Sequence, residues 1–125
     1  MPTPLPSKDE DVLLLHNPRC SKCRTTQAML EERGIGFEER NYLEQPLSRE
    51  ELNDLRLRLN RPAKEWTRSR ESAYEESGLS DASDEDALLD AIAKHPILLE
   101  RPILVRGSHA IVGRPPLDAF ALFDS

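Results

Sequence analysis

The chain has 125 residues, of which 38% are hydrophobic and 32% are charged, a composition that fits one soluble domain with a single modest core. Its formal net charge of −6 argues against a general nucleic-acid or membrane-surface binder. No apolar run approaches the roughly 18 residues needed to cross a bilayer, and the first residues lack the apolar core of a signal peptide, so we expect a cytoplasmic location.

The chain begins with a segment that is rich in proline and charge. We expect residues 1–11 to form a flexible N-terminal tail, followed by a single domain over residues 12–125. The apolar run at residues 12–15 predicts a short buried strand, because Asn17 and Pro18 stop it.

A helix and a second strand are predicted next. Apolar positions in residues 21–33 predict a helix that ends at Gly34. The stretch "IGFEERNYL" predicts a strand with Ile35 and Phe37 on its buried side. The chain therefore opens with a βαβ unit.

The middle of the chain is predicted to be helical. Ser48 and Glu51 have the spacing of a capping box at the start of a helix over residues 49–60. A short helix should end at Gly78, and a further helix, capped by Ser83 or Asp84, should end before Pro96.

The last part of the chain predicts a hairpin and a final helix. Two β-branched runs, at residues 103–105 and 110–112, are joined by "RGSH". A short helix in "PPLDAFALF" makes four side chains available for burial: Leu117, Phe120, Ala121 and Phe123. The order βαβ, helices, ββα predicts a thioredoxin-like α/β fold with a four-stranded mixed sheet and a helical insertion.

Both cysteines of the chain lie in "HNPRCSKCR". Cys20 lies where a strand gives way to a helix, and the N–H groups of a helix N-terminus, with His16 and Arg19 nearby, favour a reactive thiolate. Two alternatives stay open: Cys20 and Cys23 could be small buried hydrophobic residues, or two ligands of a zinc site. Zinc is disfavoured because only three widely spaced histidines could complete the four ligands that a structural site needs.

Three arginines and one histidine are further candidates for a site. Arg101 opens a strand before Pro102, and Arg114 follows the second strand of the hairpin, so the two should lie near each other at the ends of the sheet. The ordinary interpretation of these residues and of Arg68 is a surface ion pair. His16 could simply end its strand with a local hydrogen bond.

Five segments of the chain resemble one known family. "HNPRCSKCR", "YLEQP", "YEESGL", "HPILLERPILV" and "GRPP" occur in the order and at nearly the spacings of the arsenate reductases that use glutathione and glutaredoxin. The resemblance extends over about residues 12–123. It implies a thioredoxin-like fold and the reduction of arsenate to arsenite.

The resemblance also implies roles for individual residues. Cys20 matches the nucleophile that attacks arsenate, and His16 matches a residue that helps to hold the thiolate. Pro102 matches the cis-proline that faces the active cysteine. Three arginines match the oxyanion site of the family: Arg68, Arg101 and Arg114. Arg70 is the alternative to Arg68.

The implied partners are arsenate, glutathione as co-substrate and glutaredoxin. No metal and no bound organic cofactor is required. Cys23 departs from the better-known glutathione-coupled members, which carry a serine or another non-thiol residue there. Cys23 is therefore a candidate resolving or protective thiol, through which thioredoxin could replace glutaredoxin.

Two other functions fit the same cysteine pair. The Spx-type stress regulators share the fold, carry a C-x-x-C redox switch and bind RNA polymerase; His16, Asn17 and "GRPP" belong to the enzyme pattern and argue against them. The second alternative is a thiol oxidoreductase of the same family with another substrate, since fold and motif do not determine the substrate.

Overall fold

The computed structural model describes residues 3–114 and 116–123, with the backbone alone for residues 116–119. Its strands and helices are β1 (Val12–His16), α1 (Ser21–Glu32), β2 (Glu38–Asn41), α2 (Arg49–Leu59), α3 (Ser72–Glu76), α4 (Glu85–Lys94), β3 (Ile103–Arg106) and β4 (His109–Val112). Short 3-10 helices cover Ala63–Trp66, Pro96–Leu98 and Pro116–Phe123. The predicted α/β fold and its order of elements are confirmed.

The strands form one mixed sheet in the order β2-β1-β3-β4. β1 runs parallel to β2 and antiparallel to β3, and β3 pairs antiparallel with β4. In this register Leu15 lies opposite Ile103, so the end of β1 and the start of β3 are neighbours. The sheet therefore brings the cysteine segment after β1 to the same edge as the residues that precede β3.

The hydrophobic core lies on both faces of the sheet. All residues of β1 are buried, as a central strand requires. Leu13 and Leu15 pack with α2 and α4 on one face. Val12 and Leu14 pack on the other face with Leu30 of α1 and with the last 3-10 helix.

The second strand differs from the sequence prediction. β2 begins at Glu38, so Ile35 and Phe37 precede the strand and pack, partly buried, beside the α1 face of the core. The buried side chain within β2 is Arg40. A charged side chain can take this position because the carboxylate of Glu51 and main-chain carbonyl groups supply the hydrogen bonds that water would otherwise make.

The start of α2 has the predicted capping box. The Ser48 side chain accepts from the Glu51 N–H, and the Glu51 carboxylate accepts from the Ser48 N–H. The helix ends at Leu59, and the C-cap residue Asn60 adopts a left-handed conformation with φ of 52°. α4 is capped by Asp84, one of the two residues predicted for that role.

The segment before β1, predicted to be a flexible tail, lies against the domain in this structure. Arg40 Nη1 donates to the Thr3 carbonyl oxygen at 3.0 Å, and Arg58 Nη1 donates to the Pro6 carbonyl oxygen at 2.8 Å. The turn of the β3-β4 hairpin contacts the same segment, since the Gly107 N–H donates to the Asp11 carbonyl oxygen at 2.9 Å. These contacts join residues 3–11 to β2, α2 and the hairpin.

The last helix is a 3-10 helix over Pro116–Phe123. Phe120 is buried and Phe123 partly buried, as predicted, whereas Ala121 is exposed and was wrongly predicted as a burial candidate. The side chain of Leu117 lies outside the described residues. Across the described ranges, no helix combines the length and apolar character that a membrane span requires.

Candidate active site

Cys20 occupies the N-cap position of α1. Its backbone is extended, with φ of −86° and ψ of 124°, and its N–H donates to the Asn17 carbonyl oxygen at 2.9 Å. This tight turn follows directly from β1, and Pro18 within it suits a turn rather than a continued strand. The half-buried thiol is thus held where the free N–H groups of a helix begin.

The surroundings of Cys20 stabilise a thiolate. Burial opposes ionisation, but the backbone N–H of Cys23, the Arg101 guanidinium and the Cys23 thiol outweigh burial and lower the Cys20 pKa to about 7. The Cys20 side chain makes no capping hydrogen bond of ordinary geometry, but the N–H groups of Cys23 and Lys22 favour its ionised form and lower its pKa. Cys20 is therefore more readily ionised near neutral pH than an ordinary cysteine.

Cys23 lies in a different environment, although it is only three residues away. It is fully buried, and burial raises its pKa to about 12. The Asn17 N–H donates to its sulfur at 3.5 Å. Both cysteines are free, so the site holds one partly exposed acidic thiol beside one buried thiol that remains protonated.

Arg101 is the arginine that interacts with the Cys20 thiol. Its guanidinium lies beside both the Cys20 thiol and the Tyr42 hydroxyl. Nε and Nη1 of Arg101 are buried, yet neither has a hydrogen-bond partner among the described residues. The peptide bond between Arg101 and Pro102 is cis. Arg101 therefore offers unused donors next to the thiol.

Arg68 and Arg114 meet at a carboxylate that the sequence did not single out. Arg68 Nη1 and Arg114 Nε each lie 3.1 Å from Oε1 of Glu100. The same oxygen accepts from the Arg101 N–H at 3.1 Å, and Arg114 Nε also donates to the Arg101 carbonyl oxygen at 2.6 Å. The structure thus brings the three predicted arginines together, while Arg70 is exposed.

His16 is buried at the end of β1, and its ring lies beside Glu39 rather than beside Cys20. Its Nε2 lies 3.3 Å from Oε1 of Glu39, while Nδ1 is buried with no hydrogen-bond partner among the described residues. Burial lowers the His16 pKa, and Glu39 opposes this only in part, so the imidazole is neutral at neutral pH. In the described part of the chain, no hydrogen bond joins His16 to Cys20 or Cys23.

Two residues of the site were missed in the sequence. Tyr42 is fully buried in "YLEQP", and burial raises its pKa to about 12, although the adjacent Arg101 acts in the opposite direction. Glu100 directly precedes Arg101 in "LLERPI". The only available signal for Glu100 was this adjacency, and a carboxylate next to an arginine is too common to identify a site.

One cavity of about 630 Å³ lies away from Cys20, between residues 3–11 and the chain entering β2, at the opposite end of β1. Within the described ranges, no cluster of three or more histidine, cysteine or acidic side chains could hold a metal ion. Cys20 itself is partly exposed.

The fold and the site define a thioredoxin-like protein with a cysteine at the N-terminus of its first helix. The family model described as the ArsC family matches residues 15–120. The arsenate reductase of Neisseria meningitidis serogroup A is 46% identical over 107 residues, which cover 84% of this chain and 92% of that protein. The arsenate reductase of Haemophilus influenzae is 36% identical over the same coverage of both chains.

A solved structure agrees with these relatives. The arsenate reductase from Vibrio cholerae superimposes with a TM-score of 0.85 at 39% identity, covering 92% of this chain and 99% of that chain. The chain belongs to the ArsC family. The resemblance to arsenate reductases is confirmed, and the coupling to glutathione and glutaredoxin stays a prediction.

Proposed function

We propose that this protein reduces arsenate to arsenite, with Cys20 as the nucleophile and with electrons from glutathione and glutaredoxin. The observation that carries the proposal is the environment of Arg101: a guanidinium beside an acidic thiol, with Nε and Nη1 buried and unpartnered among the described residues. A tetrahedral oxyanion would supply the missing acceptors. Its central atom would then lie next to the attacking sulfur.

In this proposal the substrate binds to hydrogen-bond donors of two kinds, arginine guanidinium groups and main-chain N–H groups. Arg101 and the first N–H groups of α1 receive the oxyanion, because a helix N-terminus binds anions without further charge. Arg68 and Arg114, joined to Arg101 through Glu100, complete the positive site. His16, the last residue of β1 and four residues before Cys20, is the proposed support of the thiolate.

The first chemical step is a displacement at arsenic. The Cys20 thiolate forms a sulfur–arsenic bond, and one arsenate oxygen leaves as water after protonation. Arsenic remains As(V) in this thiol ester. The lowered pKa of Cys20 supports the step because it supplies thiolate at neutral pH.

The second stage transfers two electrons. Glutathione provides a second thiol, a disulfide bond forms between its sulfur and Cys20, and the electron pair of the sulfur–arsenic bond reduces As(V) to As(III), which leaves as arsenite. A second glutathione, through glutaredoxin, restores the Cys20 thiol. In total, arsenate and two glutathione molecules give arsenite, glutathione disulfide and water. No bound cofactor enters this proposal, and its reducing thiols fit a cytoplasmic location.

The proposal is tested by coupling the protein to NADPH oxidation. One reaction contains glutathione, glutaredoxin and glutathione reductase, and a second contains thioredoxin and its reductase. We expect arsenate-dependent oxidation in the first, and none with Cys20→Ser. If wild-type protein is inactive in both reactions while a known arsenate reductase is active, the proposal is wrong.

A further inference from the structure

Glu100 Oε1 is the acceptor that joins the arginines of the candidate site. It lies 3.1 Å from Arg68 Nη1, 3.1 Å from Arg114 Nε and 3.1 Å from the Arg101 backbone nitrogen. The three side chains concerned are mostly buried, with exposed fractions of 22% for Glu100, 21% for Arg68 and 30% for Arg114. These are the surroundings of a specific internal ion pair rather than of a solvated surface contact.

The arginines therefore differ in how far they are already neutralised. Arg68 donates to Glu100, and Arg114 is ion-paired with the same oxygen while its Nε–H donates to the Arg101 carbonyl oxygen. In contrast, Nε and Nη1 of Arg101 have no acceptor among the described residues. An oxyanion beside Cys20 could accept hydrogen bonds from Arg101 without displacing another acceptor. To bind Arg68 and Arg114, it would have to compete with the Glu100 carboxylate, which is already paired with both.

We propose that Glu100 is an internal counter-ion that competes with the oxyanion for Arg68 and Arg114 and so sets the affinity of the site for anions. This inference rests on the proposed function, because it takes the three arginines as the oxyanion site. Glu100 is a positioning residue: it acts through the arginines and forms no bond to arsenic.

The physical consequence has a definite sign. Removing the negative charge of Glu100 while keeping its size should release the two guanidinium groups and remove its repulsion of the incoming anion. Charges a few ångströms apart in a partly buried site interact more strongly than charges in bulk water, so a several-fold gain in anion affinity is expected. If Glu100 served only to hold the arginines in place, Glu100→Gln would weaken anion binding instead.

The chain offers a matched control in Glu71. Its Oε1 lies 3.1 Å from Arg68 Nε, and its side chain is 29% exposed, close to the value for Glu100. Glu71 contacts Arg68 in this ion pair, but Arg114 pairs with Glu100. Glu71→Gln therefore removes an equal charge from one arginine of the site, without touching the oxygen that joins two of them.

The test measures anion binding without turnover. Phosphate, and in a parallel series arsenate, should protect Cys20 from alkylation by uncharged iodoacetamide at constant ionic strength. Cys23 does not interfere, because it is fully buried and its pKa is about 12. Rates with and without the anion are compared within each variant at one pH, so that changes in thiol reactivity cancel.

We expect Glu100→Gln to lower the half-protecting phosphate concentration by about three- to tenfold. Glu71→Gln should lower it by at most about twofold, because Glu71 pairs with one arginine of the site and Glu100 pairs with two. Glu100→Asp retracts the carboxylate by one methylene group and should fall between wild type and Glu100→Gln; it decides the question if Glu100→Gln does not fold. In arsenate turnover, KM should fall with the protection constant while kcat changes less.

Two results would overturn the inference in distinguishable ways. If anions protect wild-type Cys20 but bind the Glu100 variants equally or more weakly, Glu100 is not a competitor and the oxyanion site itself stands. If neither phosphate nor arsenate protects wild-type Cys20, the oxyanion site is wrong, and the proposed function fails together with the inference.

Discussion

Arg40 and Glu51 form a bidentate ion pair, with 2.6 Å between Arg40 Nη1 and Glu51 Oε2 and 3.0 Å between Nη2 and Oε1. The Arg40 side chain has no exposed surface. Glu51 Oε1 also accepts from the Ser48 N–H at 3.1 Å, as part of the capping box of α2. One carboxylate therefore neutralises a buried charge in β2 and closes the start of α2.

Glu51→Gln should lower the free energy of unfolding by about 2–4 kcal/mol, because the Arg40 charge stays buried without its counter-ion. Glutamine keeps one oxygen that can accept from the Ser48 N–H, so the capping box can remain while the charge and one of the two acceptors for Arg40 are lost. Urea denaturation followed by circular dichroism measures the loss. Glu50→Gln is the control, since this exposed carboxylate lies in the same first turn. Equal losses in the two variants would show that the helix terminus, not Arg40, is responsible.

The same ion pair predicts a dependence of stability on pH. Burial raises the Glu51 pKa, but Arg40 and the Ser48 N–H more than compensate, so the pKa lies below its usual value. A carboxyl with a lowered folded-state pKa stabilises the protein above its unfolded pKa of about 4.3, and this contribution is lost as the pH falls through the folded value. The stability difference between wild type and Glu51→Gln should therefore shrink from pH 6 to about pH 3. A constant difference would contradict the assignment.

Alkylation of Cys20 by iodoacetamide should follow a pH profile with a midpoint of about 7. Arg101→Ala should raise this midpoint, because the guanidinium stabilises the thiolate. Arg19→Ala is the control: Arg19 precedes Cys20 but is exposed, so its charge is screened by solvent. A midpoint near the ordinary thiol value in wild type, or equal shifts in both variants, would count against the site.

Replacing Arg68, Arg101 or Arg114 by alanine should reduce kcat/KM for arsenate by about 10²-fold or more, since each removes fixed charge from the developing transition state. Arg70→Ala is the matched control on the same loop, and it should change kcat/KM far less because Arg70 is exposed and Arg68 holds the contact to Glu100. Circular dichroism and thermal unfolding check that each variant folds. Comparable losses in Arg68→Ala and Arg70→Ala would mean that both residues serve the site.

Cys23→Ser should keep activity supported by glutathione and glutaredoxin and should lose any activity supported by thioredoxin. The reason is that Cys23 is fully buried and protonated, whereas an external thiol can reach half-buried Cys20. Cys20→Ser should abolish turnover with either donor. A folded Cys23→Ser protein that is inactive with glutathione and glutaredoxin would make Cys23 an obligatory resolving thiol.

The sequence predicts best what is local. The apolar run of β1, the capping box at Ser48 and the stop at Pro96 each depend on a few neighbouring residues, and the observed elements lie within one or two residues of the predicted bounds. β2 was misjudged because Ile35 and Phe37 have the alternation of a strand, while the buried position belongs to Arg40, whose partner Glu51 is on another element.

The arrangement of the site was predictable only in part. Cys20 at the start of α1 follows from the strand, turn and helix pattern. The meeting of Arg68 with Arg114 depends on Glu100, which lies 32 residues along the chain from Arg68. The contact is created where residues 66–68 pair with residues 98–100: the Arg68 N–H donates to the Leu98 carbonyl oxygen at 2.7 Å, and the Glu100 N–H donates to the Trp66 carbonyl oxygen at 3.0 Å. One acidic residue among many carries no local signal for such a pairing.

The contact between Gly107 and the segment before β1 has a practical consequence for handling the protein. A Cβ atom at position 107 would lie 2.7 Å from the Asp9 carbonyl oxygen, so the hairpin turn and this segment fit each other closely. Val12 lies opposite Arg106 at this end of β1, whereas Cys20 follows the other end. The two ends of the strand, Val12 and His16, are about 13 Å apart. Attachment to a sensor surface through the residues before Asp11 would thus leave the reactive thiol facing the solution, where an incoming reductant can be observed.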